Sequence, residues 1–152
     1  MEASNHFQPN ETLAAPRVLA LDFGKKRIGL ALSDPLGLTA QGLETLERST
    51  IREDVAAIAA LAREHQVGLF LVGDPLHMSG AESRQGQHAR DFGRRLTAAT
   101  GLPVEFHDER LTSVEAGRVL RSSGISIGKR AQAVDRLSAV ILLQSWLDAR
   151  AL

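Results

Sequence analysis

LALDFGKKRIGLALSD, residues 19–34, holds two apolar runs joined by the basic turn Gly24-Lys25-Lys26-Arg27. The turn is short enough to make a hairpin, which predicts strands over Arg17–Phe23 and Ile28–Asp34. Asp22 interrupts this reading, because it stands at the end of the first run where a buried strand should carry a hydrophobe. Strand alternation puts it on the same face as Val18 and Ala20. An acid in that position needs either a local hydrogen-bonding role or a cation.

Downstream, Leu43–Arg48 reads as a third, more polar edge strand. Thr50 with Glu53 has capping-box spacing and opens a helix over Ile51–His65, with Val55, Ile58, Ala59 and Ala62 as its buried stripe. Val67–Val72 is unbroken apolar sequence between turn signals, as expected of a central strand covered on both faces. A loop from Gly73 to Ala81 precedes a polar helix over about Glu82–Ala99. Gly101 and Pro103 end that helix, and Val104–His107 forms a short strand. Thr112 with Glu115 repeats the capping-box spacing for a helix ending near Gly124, and a last helix runs from about Arg130 to Arg150. The order βββ, α, β, α, β, α, α predicts an α/β fold, a mixed sheet with helices on its faces.

The composition narrows the function classes. A chain of 152 residues is one ordinary domain, able to bury about two thirds of its unfolded surface. Its 43% hydrophobic and 24% charged content describes a soluble globular protein. The absence of cysteine excludes disulfides and thiolate metal sites. No apolar run reaches the roughly 20 residues that span a bilayer. Residues 1–16, MEASNHFQPNETLAAP, lack the features of a signal peptide and read as a disordered tail ahead of one domain over 17–152. A cytoplasmic location is expected. Eighteen basic residues balance eighteen acidic ones, so any electrostatic case for nucleic acid must be local.

Two further acids repeat the pattern of Asp22. VEFHDER is a strand whose end carries Glu109. In the last helix Asp135 shares a face with Ala139, Leu142 and Trp146, so it points toward the sheet. Three ionised carboxylates at the edge of one core repel one another and lose hydration, which costs several kcal/mol unless cations compensate. With no cysteine and no histidine cluster, the compensator of choice is a hard, oxygen-preferring ion, Mg²⁺ or Mn²⁺. Each acid also has a local role open to it. Asp22 could cap the turn, Glu109 could pair with Arg110, and Asp135 could complement the helix dipole.

Four stretches, LALDFGKKRIGLALSD, LVGDPLHMSGAES, HDERLTSVEA and KRAQAVDRLSAVILLQSWLD, resemble in order and spacing the successive motifs of the YqgF/RuvX family. These are bacterial ribonuclease H-like proteins known as pre-16S rRNA nucleases or Holliday-junction-resolvase-like proteins. The resemblance runs from about Arg17 to Leu152. It implies a ribonuclease H-like mixed sheet with helices on both faces, and Asp22, Glu109 and Asp135 as catalytic, metal-binding acids. The family usually has an apolar residue where Asp74 stands, and Asp74 is not counted as a ligand.

Every one of the three acids has cations beside it in sequence. Lys25, Lys26 and Arg27 follow Asp22, Arg110 follows Glu109, and Lys129 and Arg130 precede Asp135. They are candidate contacts for substrate phosphates. The Gly80–Arg84 loop is a candidate substrate flap, and His107, two residues from Glu109 on one strand face, could assist. With five Phe, one Trp and no Tyr, recognition should rest mainly on backbone and shape.

The function expected is a metal-dependent endonuclease of ribosome biogenesis that processes the 5′ end of precursor 16S ribosomal RNA. The alternatives are a Holliday-junction DNA resolvase and a non-catalytic nucleic-acid-binding assembly factor. LDFGKKRIGLAL also resembles the phosphate hairpin of sugar-kinase and actin-like ATPases. Those enzymes close two such cores around nucleotide, and 152 residues supply one. The partner is structured RNA or branched DNA with no membrane. A monomer is expected, because ESRQGQHARDFGRRLTAA is mostly polar, with Phe92 and Leu96 enough only for its own packing.

Overall fold

The computed structural model describes residues 16–74, 84–108 and 127–150. Most of the expected tail, most of the Gly80–Arg84 flap, Glu109, Arg110 and the helix expected between Thr112 and Gly124 lie outside the described residues. So do the side chains of Asp74, Lys129 and Arg130.

Strands β1 (Arg17–Phe23) and β2 (Arg27–Ser33) form the expected antiparallel hairpin, closed by Gly24 N–H donating to the Arg27 carbonyl at 3.0 Å. Their register pairs Asp22 with Gly29. β5 (Val67–Asp74) lies parallel to β1, and β6 (Val104–Asp108) lies parallel to β5. With β3 (Ala40–Gly42) on the outer side of β2, the sheet order is β3-β2-β1-β5-β6, so the C-terminal ends of β1, β5 and β6 reach one edge together.

The single edge strand expected over Leu43–Arg48 is instead two short pieces on β2, β3 (Ala40–Gly42) and β4 (Leu46–Glu47). Gly42 pairs with Ala31 and Leu46 with Ile28, so Leu43–Thr45 stand opposite only Gly29 and Leu30. One extra residue breaks the ladder and splits the strand, as a bulge does at a sheet edge.

Helix α1 (Ile51–Glu64) starts where its capping box predicts, with the Thr50 hydroxyl accepting from Glu53 N–H at 3.1 Å. Helix α2 (Arg84–Thr100) ends at Gly101, whose φ of +76° suits glycine and stops the helix. Helix α3 (Ile127–Arg150) begins about one turn earlier than its hydrophobic pattern indicated. The described part of α3 thus contains Lys129 and Arg130 as well as Asp135.

Both faces of the sheet are covered. Helices α1 and α2 pack against Leu19, Leu21, Phe23, Ile28 and Phe70, using Val55, Ile58, Phe92 and Leu96. Each such side chain, fully buried, contributes about 1.5–3 kcal/mol relative to exposure. Helix α3 lies on the opposite face, where Val18, Ala20, Ala31 and Leu71 meet Ala139, Leu142, Leu143 and Trp146. The stripe read from Asp135, Ala139, Leu142 and Trp146 is therefore the buried one. Small residues on this face of the sheet let the helix come close. Among the described residues no helix is long and apolar enough to cross a membrane.

Candidate active site

Alternation along β1 sends Leu19, Leu21 and Phe23 toward α1 and α2, and Val18 and Ala20 toward α3. Asp22 continues the second set and is half-buried at the C-terminal end of the strand, on the α3 face. Its neighbour on one side is Gly29 in β2. On the other side Leu21 pairs with Val72, which sets Asp22 level with Gly73, and Gly73 pairs with His107 of β6. His107 is half-buried and shares the α3 face with Glu105, which accepts from Trp146 Nε1 at 2.7 Å. Two glycines flanking Asp22 leave the sheet without side chains on either side of the carboxylate.

Gly29 is the residue that brings Asp135 to this patch. A Cβ built at Gly29 would lie 1.9 Å from the Asp135 carbonyl oxygen and 2.6 Å from its carbonyl carbon. The helix backbone therefore rests on the sheet at the position paired with Asp22, a contact only glycine permits. Acids more than a hundred residues apart in sequence meet at one sheet edge through this contact.

The Asp135 carboxylate is held by Arg27, whose Nε donates to Oδ2 at 2.7 Å. The hydrogen bond and charge of Asp135 raise the Arg27 pKa above its ordinary value. With side-chain exposures of 23% and 26%, the pair is screened by solvent and adds little to stability. Its larger effect is positional, since it fixes the rotamer of Asp135 at the start of the packed part of α3. Arg27, expected among the substrate cations, thus turns toward Asp135, while Lys25 and Lys26 stay exposed on the turn.

Arg48 was not singled out by the sequence. Its Nε donates to Asp54 Oδ2 at 2.9 Å, its Nη1 donates to the Gly24 carbonyl at 3.0 Å, and its guanidinium lies 4.4 Å from the Phe23 ring centre. The same chain segment donates Arg48 N–H to the Lys26 carbonyl at 2.9 Å. The basic turn beside Asp22 is thereby tied to the start of α1. Asp54 is buried at 1% exposure, so this ion pair is shielded from water on one side.

The structure brings Asp22, Asp135, Arg27 and His107 to the C-terminal edge of the sheet on the α3 face, and Glu109 follows β6 directly in sequence. Among the described residues no three His, Asp or Glu side chains gather at ligand distance. The donors at this edge are the carboxylates of Asp22 and Asp135, with the His107 imidazole on the same face and no thiolate in the chain. That chemistry fits Mg²⁺ or Mn²⁺ and disfavours softer metals.

A family model, RuvX, described as Holliday junction resolvase, matches residues 16–149. A protein of Koribacter versatilis named "Putative pre-16S rRNA nuclease" is 54% identical over 88% of this chain and 88% of its own length. One of the same name from Moorella thermoacetica is 48% identical over 87% of this chain and 94% of its own. Among solved structures, Thermus thermophilus RuvC in complex with Holliday junction substrate superposes with a TM-score of 0.58 at 16% identity, covering 90% of this chain and 96% of that one. Fowlpox virus resolvase with its substrate Holliday junction DNA gives 0.57 at 12% identity, covering 88% and 98%. At these identities the two structures establish the ribonuclease H-like fold of the resolvases.

Proposed function

The chain belongs to the RuvX family, and from that membership we propose that it hydrolyses phosphodiester bonds of precursor 16S ribosomal RNA at Asp22, Glu109 and Asp135. The observation that carries this reading is the contact of the Asp135 carbonyl with Gly29, the sheet partner of Asp22. It joins two acids from distant segments at one edge, beside an exposed basic turn. The fold, the family and the relatives make the protein a nuclease, a hydrolase of phosphodiester bonds.

Asp22, Glu109 and Asp135 would hold the divalent ions. Bound there, Mg²⁺ or Mn²⁺ supplies activation of the attacking water and charge neutralisation at the leaving 3′ oxygen. The remaining work belongs to the protein. Arg27 keeps the Asp135 carboxylate in one orientation, so that no reorganisation is needed when phosphate arrives. Lys25 and Lys26 bind backbone phosphates over the turn, with Arg110, Lys129 and Arg130 as the other phosphate contacts. His107, on the same face as Asp22, would assist at this edge.

The family description supports a second reading, resolution of four-way DNA junctions. Paired incisions need two sites facing one junction, usually through a symmetric dimer. Phe92 and Leu96, the apolar residues of the α2 segment, are consumed in the protein's own core at 1% and 0% exposure. This favours a monomer acting on one strand at a time. Sedimentation at micromolar concentration, alongside cleavage of precursor rRNA and a four-way DNA junction, tests the choice. Cleavage of the rRNA by a monomer is the expected result. A tight dimer that makes symmetric nicks in the junction and leaves the rRNA intact would establish the second reading.

A further inference from the structure

On the face of the sheet away from Asp22, a cleft of about 340 Å³ opens between the β1–β2 turn, the start of α1 and the middle of α2. That volume is at the low end of the roughly 300–1,000 Å³ found for small-molecule sites. We propose that this cleft seats one unpaired nucleobase of the substrate strand, next to the nucleotide whose phosphate lies at Asp22. The inference rests on the nuclease reading and names the specificity of that same site.

The floor of the cleft is aromatic, and the plane open to a base is the guanidinium over it. Phe23 and Phe92 lie with ring centres 4.8 Å apart, and the Arg48 guanidinium lies over Phe23. Three restraints fix the plane of that guanidinium: the bond to Asp54, the bond to the Gly24 carbonyl and the Phe23 ring. A guanidinium held in place over an aromatic ring is a platform for a base, because bases stack on arginine planes as they do on aromatic rings. No rotamer freedom is left for Arg48 to lose on binding.

The rim has the charge a nucleotide needs. Lys25 and His88 line the mouth, and both are exposed. The acid at the rim, Asp91, is already engaged by Arg95 at 3.0 Å and Arg94 at 3.8 Å. Ile51, 39% exposed, forms an apolar lip. The cleft therefore offers an apolar, stacking interior under a cationic edge.

Its position relative to the acids follows from alternation. Asp22 and Phe23 are adjacent residues that point to opposite faces of the same sheet edge. Only the turn Gly24–Lys26 separates the two sites, and Lys25 belongs to that turn. A strand with one phosphate at Asp22 can cross the turn and place its neighbouring base against Arg48. A base held in a duplex cannot leave its partner to do so without cost, so the cleft selects an unpaired flanking segment.

The test uses single-stranded RNA oligonucleotides carrying 2-aminopurine at successive positions, bound to the protein in chelator and, separately, cleaved in Mg²⁺. Ile51→Trp closes the mouth of the cleft from its exposed lip, and His88→Glu puts a negative charge on the rim. The expected result with the wild-type protein is a change in emission at one position, absent with Ile51→Trp. Affinity should fall about tenfold for either variant, within the range for losing one stacked base. An abasic ribose at the responsive position should weaken wild-type binding by the same factor and leave Ile51→Trp unchanged, with kcat retained at saturation. Metal-dependent cleavage without any position-specific response, or variants that bind like wild type, would overturn the cleft and leave the nuclease reading standing. A responsive position in chelator with no cleavage of any substrate would overturn the nuclease reading and leave the cleft as a base-binding site.

Discussion

A methyl group at position 29 would have to displace helix α3 from the sheet. The Cβ of Gly29→Ala would lie 1.9 Å from the Asp135 carbonyl oxygen, and real contacts of this kind do not fall below 3.0 Å. The helix, the strand or both must move by at least the difference, 3.0 − 1.9 = 1.1 Å. The obstacle is backbone rather than the end of a side chain, so rotamer changes cannot relieve it. Overpacking of this kind costs about 1–3 kcal/mol, which for a domain of this size lowers Tm by about 2–12 °C. The functional cost should be larger than the stability cost implies. Asp135 is carried on the displaced helix away from the sheet edge that bears Asp22, and a misplacement of about 1 Å costs about 100-fold in rate. Thermal unfolding by circular dichroism and metal-dependent cleavage under saturating substrate measure the two effects separately. Gly101→Ala is the control, because Gly101 has an unfavourable φ for alanine but nothing within 4 Å of its Cβ. It should lose stability alone. Wild-type cleavage by a folded Gly29→Ala protein would refute the role given to the Gly29–Asp135 contact.

Asp22→Asn should abolish cleavage while holding or raising the metal-free Tm, since it removes one charge from an acidic edge; normal turnover in Mg²⁺ would exclude Asp22 from the site. Mg²⁺ or Mn²⁺ should support cleavage and raise Tm by mass action, whereas Ca²⁺ should bind with little cleavage, and full activity in chelator would eliminate the metal mechanism. Asp54→Ala leaves Arg48 without its buried partner and should cost about 3–5 kcal/mol in urea unfolding, against a near-silent change at an exposed pair such as Asp91–Arg95. Backbone N–H groups of Thr39 and Leu38 hold the Asp34 carboxyl below the usual carboxylate range. A depressed folded pKa gives stability that is complete above the unfolded value, about 3.9, and is lost as pH falls through the folded value. Asp34→Asn should therefore flatten the loss of Tm below about pH 4, and an unchanged acid limb would remove Asp34 from the account.

The architecture was legible wherever the signal was local. Apolar runs at Val18–Leu21 and Val67–Val72 announce central strands, and Thr50 with Glu53 announces the start of α1 three residues from its own cap. Asp22 was legible for the opposite reason, as a charge where the pattern asks for a hydrophobe. The split of the edge strand was not, because a bulge between Gly42 and Leu46 depends on register against β2 and leaves no mark in composition. Gly29 carried a faint signal. A glycine inside an apolar strand indicates a bulge, a bend or a close approach, and choosing among them requires knowing what packs above it.

The cations show where local reading stops. Lys25, Lys26 and Arg27 look alike in sequence, where each is a candidate contact for substrate phosphate. Strand geometry separates them, because Arg27 is the first residue of β2 and lies over the edge where α3 arrives, while the two lysines stay in the exposed turn. Its partner Asp135 is 108 residues away, beyond the reach of any periodicity. Arg48 is the complementary case, a residue with no motif that becomes the link between the basic turn and α1 because its chain segment returns along β2. Both arginines act on the turn that follows Asp22, one from each face of the sheet. Arg27 holds the acid that α3 rests against Gly29, the sheet partner of Asp22, and Arg48 holds the backbone of Gly24 from behind. The turn is therefore clamped between two ion pairs, Arg27–Asp135 and Arg48–Asp54, which share no residue. Independent clamps predict additive losses when both are cut. The measured coupling between Arg27→Gln and Asp54→Ala in a double-mutant unfolding cycle should stay within about 0.5 kcal/mol of zero. A coupling well above that would mean that the turn transmits strain between the two faces, and that the acids and the cleft behind them are set by one adjustment rather than two.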